Sequence, residues 1–432
     1  MKVVTWSRKS KSKRVDAFLS RPAFDPAAEA AAARVIADIR KRGDAAVSAY
    51  VKRFDGAVLK PRDFRVDAAT IDAAGKALKP MHRRAIRDAH RNVKAFAKAG
   101  LRRNWDMRTA GGGRLGERFT PFDRIGVYVP GGEAPLSSTV VMTVTLAKVA
   151  GVKEIVVCTP ADAKGNVDPM ILHAARHCGA TEVYRVGGIQ SVAAMAYGTA
   201  SIARVQKIVG PGGPYVTAAK KLVYGAVSLD QVAGPSEIAV LADSSAKPAY
   251  VAADLISQAE HGTGHEKILL VTTSRVLARK VEAAIKAQTD VLPRRDAIRR
   301  VLDTGAMIAV VPNLDDGMEL CNRFAPEHFE IMVASPRRWL PKVRAAGAIF
   351  LGPWSPEPAG DYAAGPSHVL PTGGAAARFS GLSVDDFRRR SSVIDMTRKD
   401  LALQLPTIEA FAAMEGLHAH GRSAAIRFDK DA

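Results

Sequence analysis

The feature that most restricts the fold of this chain is an alternation of two textures that begins at Arg124 and runs to about residue 355. The strand-like runs RIGVYVP, EIVVCTP, TEVYRVGG and VQKIVGPGG are interleaved with the helix-like runs SSTVVMTVTLAKVAG, DPMILHAARHCG, IQSVAAMAYGT and YVTAAKKLVYG. Runs that are apolar throughout belong to strands buried on both faces, and parallel strands need a helix-length crossover between them. The pattern restarts at EIAVLAD and passes through KILLVTT, MIAVVPN and FEIMVAS to AIFLGPW, with helices between, RRWLPKVRAAG among them. The expected fold class is therefore α/β: two doubly wound, Rossmann-like α/β units, about 124–235 and 236–355, plus small helical terminal elements.

The flanks are less regular. KVV near the start reads as a first strand, and residues 34–56 carry helical periodicity through Val35, Ile39, Val47 and Val51 before Gly56. A basic helix is expected over about 79–99. GGGRLG (111–116) matches the GxGxxG pattern, but neither a strand before nor a helix after fits a dinucleotide fingerprint, so a hairpin or loose turn is expected. From about residue 383 separate helical or hairpin elements follow, with a break at Pro406 before a last helix.

A length of 432 residues exceeds one ordinary core. No apolar run approaches the roughly 18 residues of a membrane span, and the basic N-terminus lacks the apolar segment of a secretory signal. Three dispersed cysteines, with no CxxC, fit a reducing cytoplasm; Cys158, inside EIVVCTP, reads as a buried, inert thiol. The net charge of +20 is spread over clusters without an RNA- or DNA-binding motif, so it reads as a solvated surface with no specific nucleic acid.

Ligands of doubly wound sheets sit beyond the carboxyl ends of strands, so chemistry is expected in the loops there. YVPGGEAP, VGGIQ and VGPGGPYV are glycine turns that allow close backbone approach to a nucleotide. In SQAEHGTGHEK the pair His261 and His265 has helical metal-site spacing, but Gly262 and Gly264 intervene and end the helix. That leaves Gln258 and His261, three apart at the end of a helix opened near Pro248 and capped by Ser244 or Ser245. Glu327 and His328 in FAPEHFEI suit general acid–base work, although alone they read more readily as an ordinary surface pair. The segment 355–374 carries Asp361 and His368 in a long irregular loop. In AMEGLHAHG, spacing favours Glu415 with His418.

Taken in order, RVIADIRKRGDAAVSAYVKRFDG, GVYVPGG, KIVGPGG, AGPSE, DLISQAEH, APEH, GDYAAGPSHVLPTGG and EGLHAH resemble the histidinol dehydrogenase family over about residues 34–425. The resemblance implies an NAD-dependent, zinc-containing homodimer that oxidises L-histidinol to L-histidine through histidinaldehyde, the last step of histidine synthesis. A paralogue acting on another amino or vicinal alcohol is the alternative. Zinc would be held by Gln258, His261, Asp361 and His420, the last supplied by the partner subunit, which displaces His418 from the spacing argument. Glu327 and His328 would be catalytic. Substrate contacts would come from Ser236, Gln258, His261, His328, Asp361, His368, Glu415 and His420, and NAD contacts from Tyr128, Gln190 and Gly213. The implied domains are 24–127 with 236–382 as the main α/β domain, 128–235 as an inserted NAD-binding domain, 1–23 with 383–407 as an accessory domain, and 408–432 as a tail on the partner. Three departures stand out: Gly213 where the family has Asn, Ser367 in GPSH where it has GPNH, and FAKAG near the end of the N-terminal helices.

Overall fold

The computed structural model describes residues 1–20, 25–131, 135–231 and 234–429. The chain divides into two compact units, one of residues 1–100 with 122–387 and one of 101–121 with 388–432.

The first unit holds two parallel sheets. The larger runs Lys2–Thr5, Ala306–Val310, Lys267–Thr272, Glu237–Ala242, His328–Met332, Ala348–Leu351 across its width. Glu237–Ala242, Ala306–Val310 and His328–Met332 are buried at every position, as their predominantly apolar sequences require, even at Glu237, His328 and Glu330. One face packs Val240, Leu255, Leu270 and Val281 together, and the other packs Leu241, Val271, Phe324 and Phe329. The smaller sheet runs Glu182–Tyr184, Glu154–Cys158, Arg124–Tyr128, Lys207–Val209, Ser228–Leu229. Counted along the chain that order is 3-2-1-4-5, with the reversal between Arg124–Tyr128 and Lys207–Val209, where a doubly wound sheet opens its ligand crevice.

Several expectations need correcting. Lys2–Thr5 pairs in parallel with Ala306–Val310, so the N-terminal strand extends the larger sheet instead of joining an accessory domain. The helices Pro26–Arg42 and Asp44–Phe54 place Val35, Ile36, Ile39, Val47 and Val51 in one core with Tyr184, Val192, Ile208 and Val216. Their apolar stripe therefore covers the smaller sheet, not the larger one with which residues 24–127 were expected. RRWLPKVRAAG forms only two short 3₁₀ turns, Pro336–Arg338 and Leu340–Lys342; Pro341, in the middle of the stretch, lacks the N–H that a continuous helix would need there. Lys247 occupies the N-cap of Pro248–Ala259, and Ser245 bonds to Asp243 instead.

The second unit is not purely helical. Trp105–Arg108 and Arg114–Pro121 form the hairpin expected at GGGRLG, and Arg388–Asp395 adds an antiparallel third strand. Asp400 caps the hairpin turn by accepting from the N–H groups of Gly111 and Gly113. The helix Arg398–Met414 runs through Pro406 and stops before Gly416, whose φ of 68° ends it. Among the described residues no helix is long and apolar enough to cross a membrane.

Candidate active site

In the larger sheet the chemistry-bearing residues gather at the amino edge of the strands, opposite to the expectation. His328 is the first residue of His328–Met332 and lies level with Ile238, next to the start of Glu237–Ala242. The crossover geometry explains this. Helix Pro248–Ala259 leaves the carboxyl end of Glu237–Ala242 and must return before Lys267–Thr272 can start, which carries its C-terminus to the amino edge. Gln258 sits in that last turn. Gly262 and Gly264, at φ 73° and 87°, end the helix, and Glu266 ties the loop by accepting from the N–H groups of Thr263 and Gly264. His265 is exposed and takes no part, whereas Gln258 is wholly buried.

Glu327 and His328 are 5% and 3% exposed, which removes the surface-pair reading. The helix Leu314–Phe324 ends on Ala325 in the left-handed conformation, and the chain then turns into the strand. His328 Nδ1 is 3.0 Å from Gln258 Oε1 and 3.3 Å from the Glu237 carbonyl oxygen. Its Nε2 is 3.4 Å from Asp361 Oδ1 and 3.9 Å from Glu357 Oε1. The Glu237 N–H donates to Glu327 Oε2 at 3.0 Å. Burial pushes the Glu327 carboxyl up to about 8. Burial alone would lower His328, but the charges of Glu327 and Asp361 outweigh it and raise the imidazole to about 9. Asp361 behaves oppositely: burial would raise it, and its hydrogen bond with His328 holds it below the usual carboxylate value.

Sequence reasoning missed the carboxylates beneath this pair. Glu357 lies one turn before Asp361 in the helix Glu357–Tyr362, is buried, and accepts from Ser257 Oγ at 2.7 Å. Burial and the neighbouring Asp361 push it up to about 7. Its backbone N–H donates to buried Glu330, which contacts Asp254. The four-residue spacing of Glu357 and Asp361 was the available signal; Glu330 and Asp254 lie among apolar residues, where spacing did not single them out. His328, Glu357 and Asp361 each offer an atom within 4.8 Å of the other two, enough to hold a metal ion. His261 is exposed, yet near enough to Asp361 to feel its charge.

His368 accompanies this group, its Nδ1 3.0 Å from the Asp361 carbonyl oxygen and its Nε2 3.4 Å from Thr139 Oγ1. Thr139 belongs to Ser137–Ala150, the helix that follows the first glycine turn of the smaller sheet, so the two sheets meet at His368. Ser236 lies just before Glu237–Ala242 and is half-buried. Glu415 and His420 are in the second unit, exposed, at the end of Arg398–Met414 and in His418–Ala425.

In the smaller sheet the expectation of carboxyl-edge loops holds for Tyr128, Gln190 and Gly213. Tyr128 ends the first strand, buried, and its phenol is pushed up to about 12 by desolvation. Gln190 lies in the first turn of Gly188–Tyr197, fully buried, with its Oε1 lacking a hydrogen-bond partner. Gly213 caps Pro214–Val223 at φ −67°, and a Cβ there would meet nothing within 4 Å. The glycine is thus not demanded by its backbone. In YVPGGEAP, residues 132–134 lie outside the described residues.

The histidinol dehydrogenase family model matches residues 20–428. A histidinol dehydrogenase of Heliobacterium mobile is 47% identical over 416 residues, covering 96% of this chain and 97% of its own. That of Moorella thermoacetica is 47% identical over 405 residues, covering 93% and 95%. The crystal structure of histidinol dehydrogenase from Elizabethkingia anophelis superposes with a TM-score of 0.94 at 35% identity, over 99% of this chain and 98% of that one. With a matching family model, relatives of nearly equal length and a shared fold, the chain belongs to the histidinol dehydrogenase family.

Proposed function

We propose that this chain oxidises L-histidinol to L-histidine in two successive hydride transfers to NAD, as a zinc enzyme and the final step of histidine synthesis. The observation that carries the reading is the buried Glu327–His328 pair lodged between Gln258 and Asp361. His328 Nδ1 is flanked by two oxygen atoms, Gln258 Oε1 and the Glu237 carbonyl, so the ring proton belongs on Nδ1. Nε2, buried and 3.4 Å from Asp361 Oδ1, is the ring nitrogen left to take the alcohol proton as hydride departs, once the imidazole, held up to about 9 by its acidic neighbours, has released its own. Glu327, raised into the neutral range by burial, suits removal of a proton from the water that adds to the aldehyde before the second transfer.

The residues fit both absent groups. Gln258 and Asp361 are drawn together on either side of His328, with His261 near enough to Asp361 to feel its charge, and an imidazole nitrogen with amide and carboxylate oxygens is a mixed donor set that suits Zn²⁺. Gln258, His261 and Asp361 would hold the metal, with His420 completing the set from the partner subunit of a homodimer. Bound zinc supplies a Lewis acid that anchors the imidazole and amine of the substrate. The orphaned Gln190 Oε1, beside Tyr128 in the crevice of a 3-2-1-4-5 sheet, fits a nucleotide, and NAD supplies the hydride acceptor. Ser236, His368 and Glu415 are the remaining substrate contacts. No thiol takes part, since Cys158 is fully buried and desolvation raises its pKa. Three buried free cysteines suit a reducing cytoplasm.

NADH formation from L-histidinol, with and without a chelator, tests the reading. Two NADH per histidinol, lost on chelation, is the expected result, with His261→Ala failing to retain zinc. Absence of NAD binding would sink the dehydrogenase reading, and turnover of a different alcohol alone would select the paralogue.

A further inference from the structure

We infer that Asp55 is the residue that selects NAD over NADP, by engaging the adenosine ribose hydroxyls and repelling a 2′-phosphate. The inference rests on the nucleotide site proposed above and adds a specificity determinant to it.

In a doubly wound sheet of this order, the ribose is held near the end of the second strand, usually by an acidic side chain there. The second strand of this sheet, Glu154–Cys158, ends in Thr159, Pro160 and Ala161, with no carboxylate. The next acid, Asp162, is turned onto the N–H groups of Lys164 and Asn166 and closes its own loop. Asp55 arrives from elsewhere. It terminates the helix Asp44–Phe54, which packs on the smaller sheet, and its carboxylate accepts from the Gly187 N–H and lies 3.5 Å from Gln190 Nε2. Gly187 follows the third strand and is backed directly by Pro160, since a Cβ on it would come within 2.6 Å of the proline ring. These contacts put Asp55 over the ends of the second and third strands, where the fold lacks its usual acid.

The carboxylate is only partly exposed and its hydrogen bonding is unfinished; burial pushes it up to about 6 despite the two donors. A ribose diol would complete its bonding. A phosphate at the 2′ position would set a second negative charge against it.

Calorimetric titration of the purified enzyme with NAD and with NADP, without substrate, reads the effect directly. Wild type is expected to bind NAD and to discriminate against NADP. Asp55→Asn, isosteric but neutral, should weaken NAD roughly tenfold while gaining NADP affinity. Asp55→Ser, which also opens space, should carry the preference further toward NADP. Thermal melting curves like that of wild type establish that both variants fold. If Asp55 merely braces the Gly187 turn, both nucleotides weaken together and the ratio of their affinities stays constant, which overturns the inference. A wild type that binds neither nucleotide overturns the nucleotide site itself, a different and distinguishable failure.

Discussion

The amino edge of the larger sheet and the carboxyl edge of the smaller one differ in nearly every physical respect. The first is packed with ionisable groups: Glu327, His328, Glu330, Glu357 and Asp254 are all buried within one neighbourhood, with Asp361 beside them. The second is built of glycine turns carrying Tyr128, Gln190 and Asp55, and its buried ion pair, Lys220 with Asp230, is spent on bracing the turn at Gly210. Two sheets of one architecture thus divide the proposed work. Turns low in side-chain bulk let backbone approach a large cofactor, whereas a low-dielectric nest of charges shifts proton affinities toward neutrality. His368 touches Thr139 where the two meet.

If the division is real, removing the base should cripple chemistry and spare nucleotide binding. His328→Asn is expected to lower kcat by about 10²–10⁴-fold. Its affinity for NAD, measured calorimetrically, should match wild type, and its zinc content should persist. Loss of NAD affinity comparable with the loss of turnover would break the comparison.

A second test works from the other edge. At Gly213 the resemblance leads one to expect Asn; the glycine's backbone is ordinary and the space beside it is open. Gly213→Asn should tighten NAD up to about tenfold, the value of one hydrogen bond, and leave kcat unchanged. Unchanged affinity would mean that the loop holds the nucleotide by backbone alone.

Much of the fold was legible in sequence because apolar strands and crossover helices carry strong, repeated patterns. The site was legible only through short motifs and the family resemblance. Glu330 and Asp254 sit in stretches whose apolar neighbours hide them, and no local pattern announces a buried carboxylate. The edge of the sheet was misjudged for a different reason: the carboxyl-end rule describes where strands deliver ligand loops, but Gln258 is delivered by the end of a returning helix. Asp55 was read as the end of a helix, since nothing in FDG reveals that this helix packs on the smaller sheet. The proline turns at Pro336 and Pro341 show the limit of apolar periodicity where N–H groups are missing.

The smallest effect is one of stability, and both edges should show it. Asp55 has an ordinary carboxyl value of 3.8 and rises to about 6 in the folded chain. The folded state therefore holds its proton more tightly than the unfolded chain. Its favourable contribution is complete below pH 3.8 and is lost as pH rises through about 6, so the ionised carboxylate burdens the nucleotide-free protein above that. At full burial a gap of two units would cost about 3 kcal/mol. Asp55 is partly exposed, and solvent screening reduces this to about 1 kcal/mol. Asp55→Asn, which cannot ionise, should match wild type in urea near pH 4 and gain stability progressively up to about pH 6.5. Glu327 is raised further, to about 8, so for Glu327→Gln the gain should continue over a wider alkaline range. A stability difference independent of pH at either position would show that burial there is relieved by structure and not by ligand. The pH-dependent difference is what a site should show if its carboxylates are kept for binding and chemistry at the expense of the empty fold.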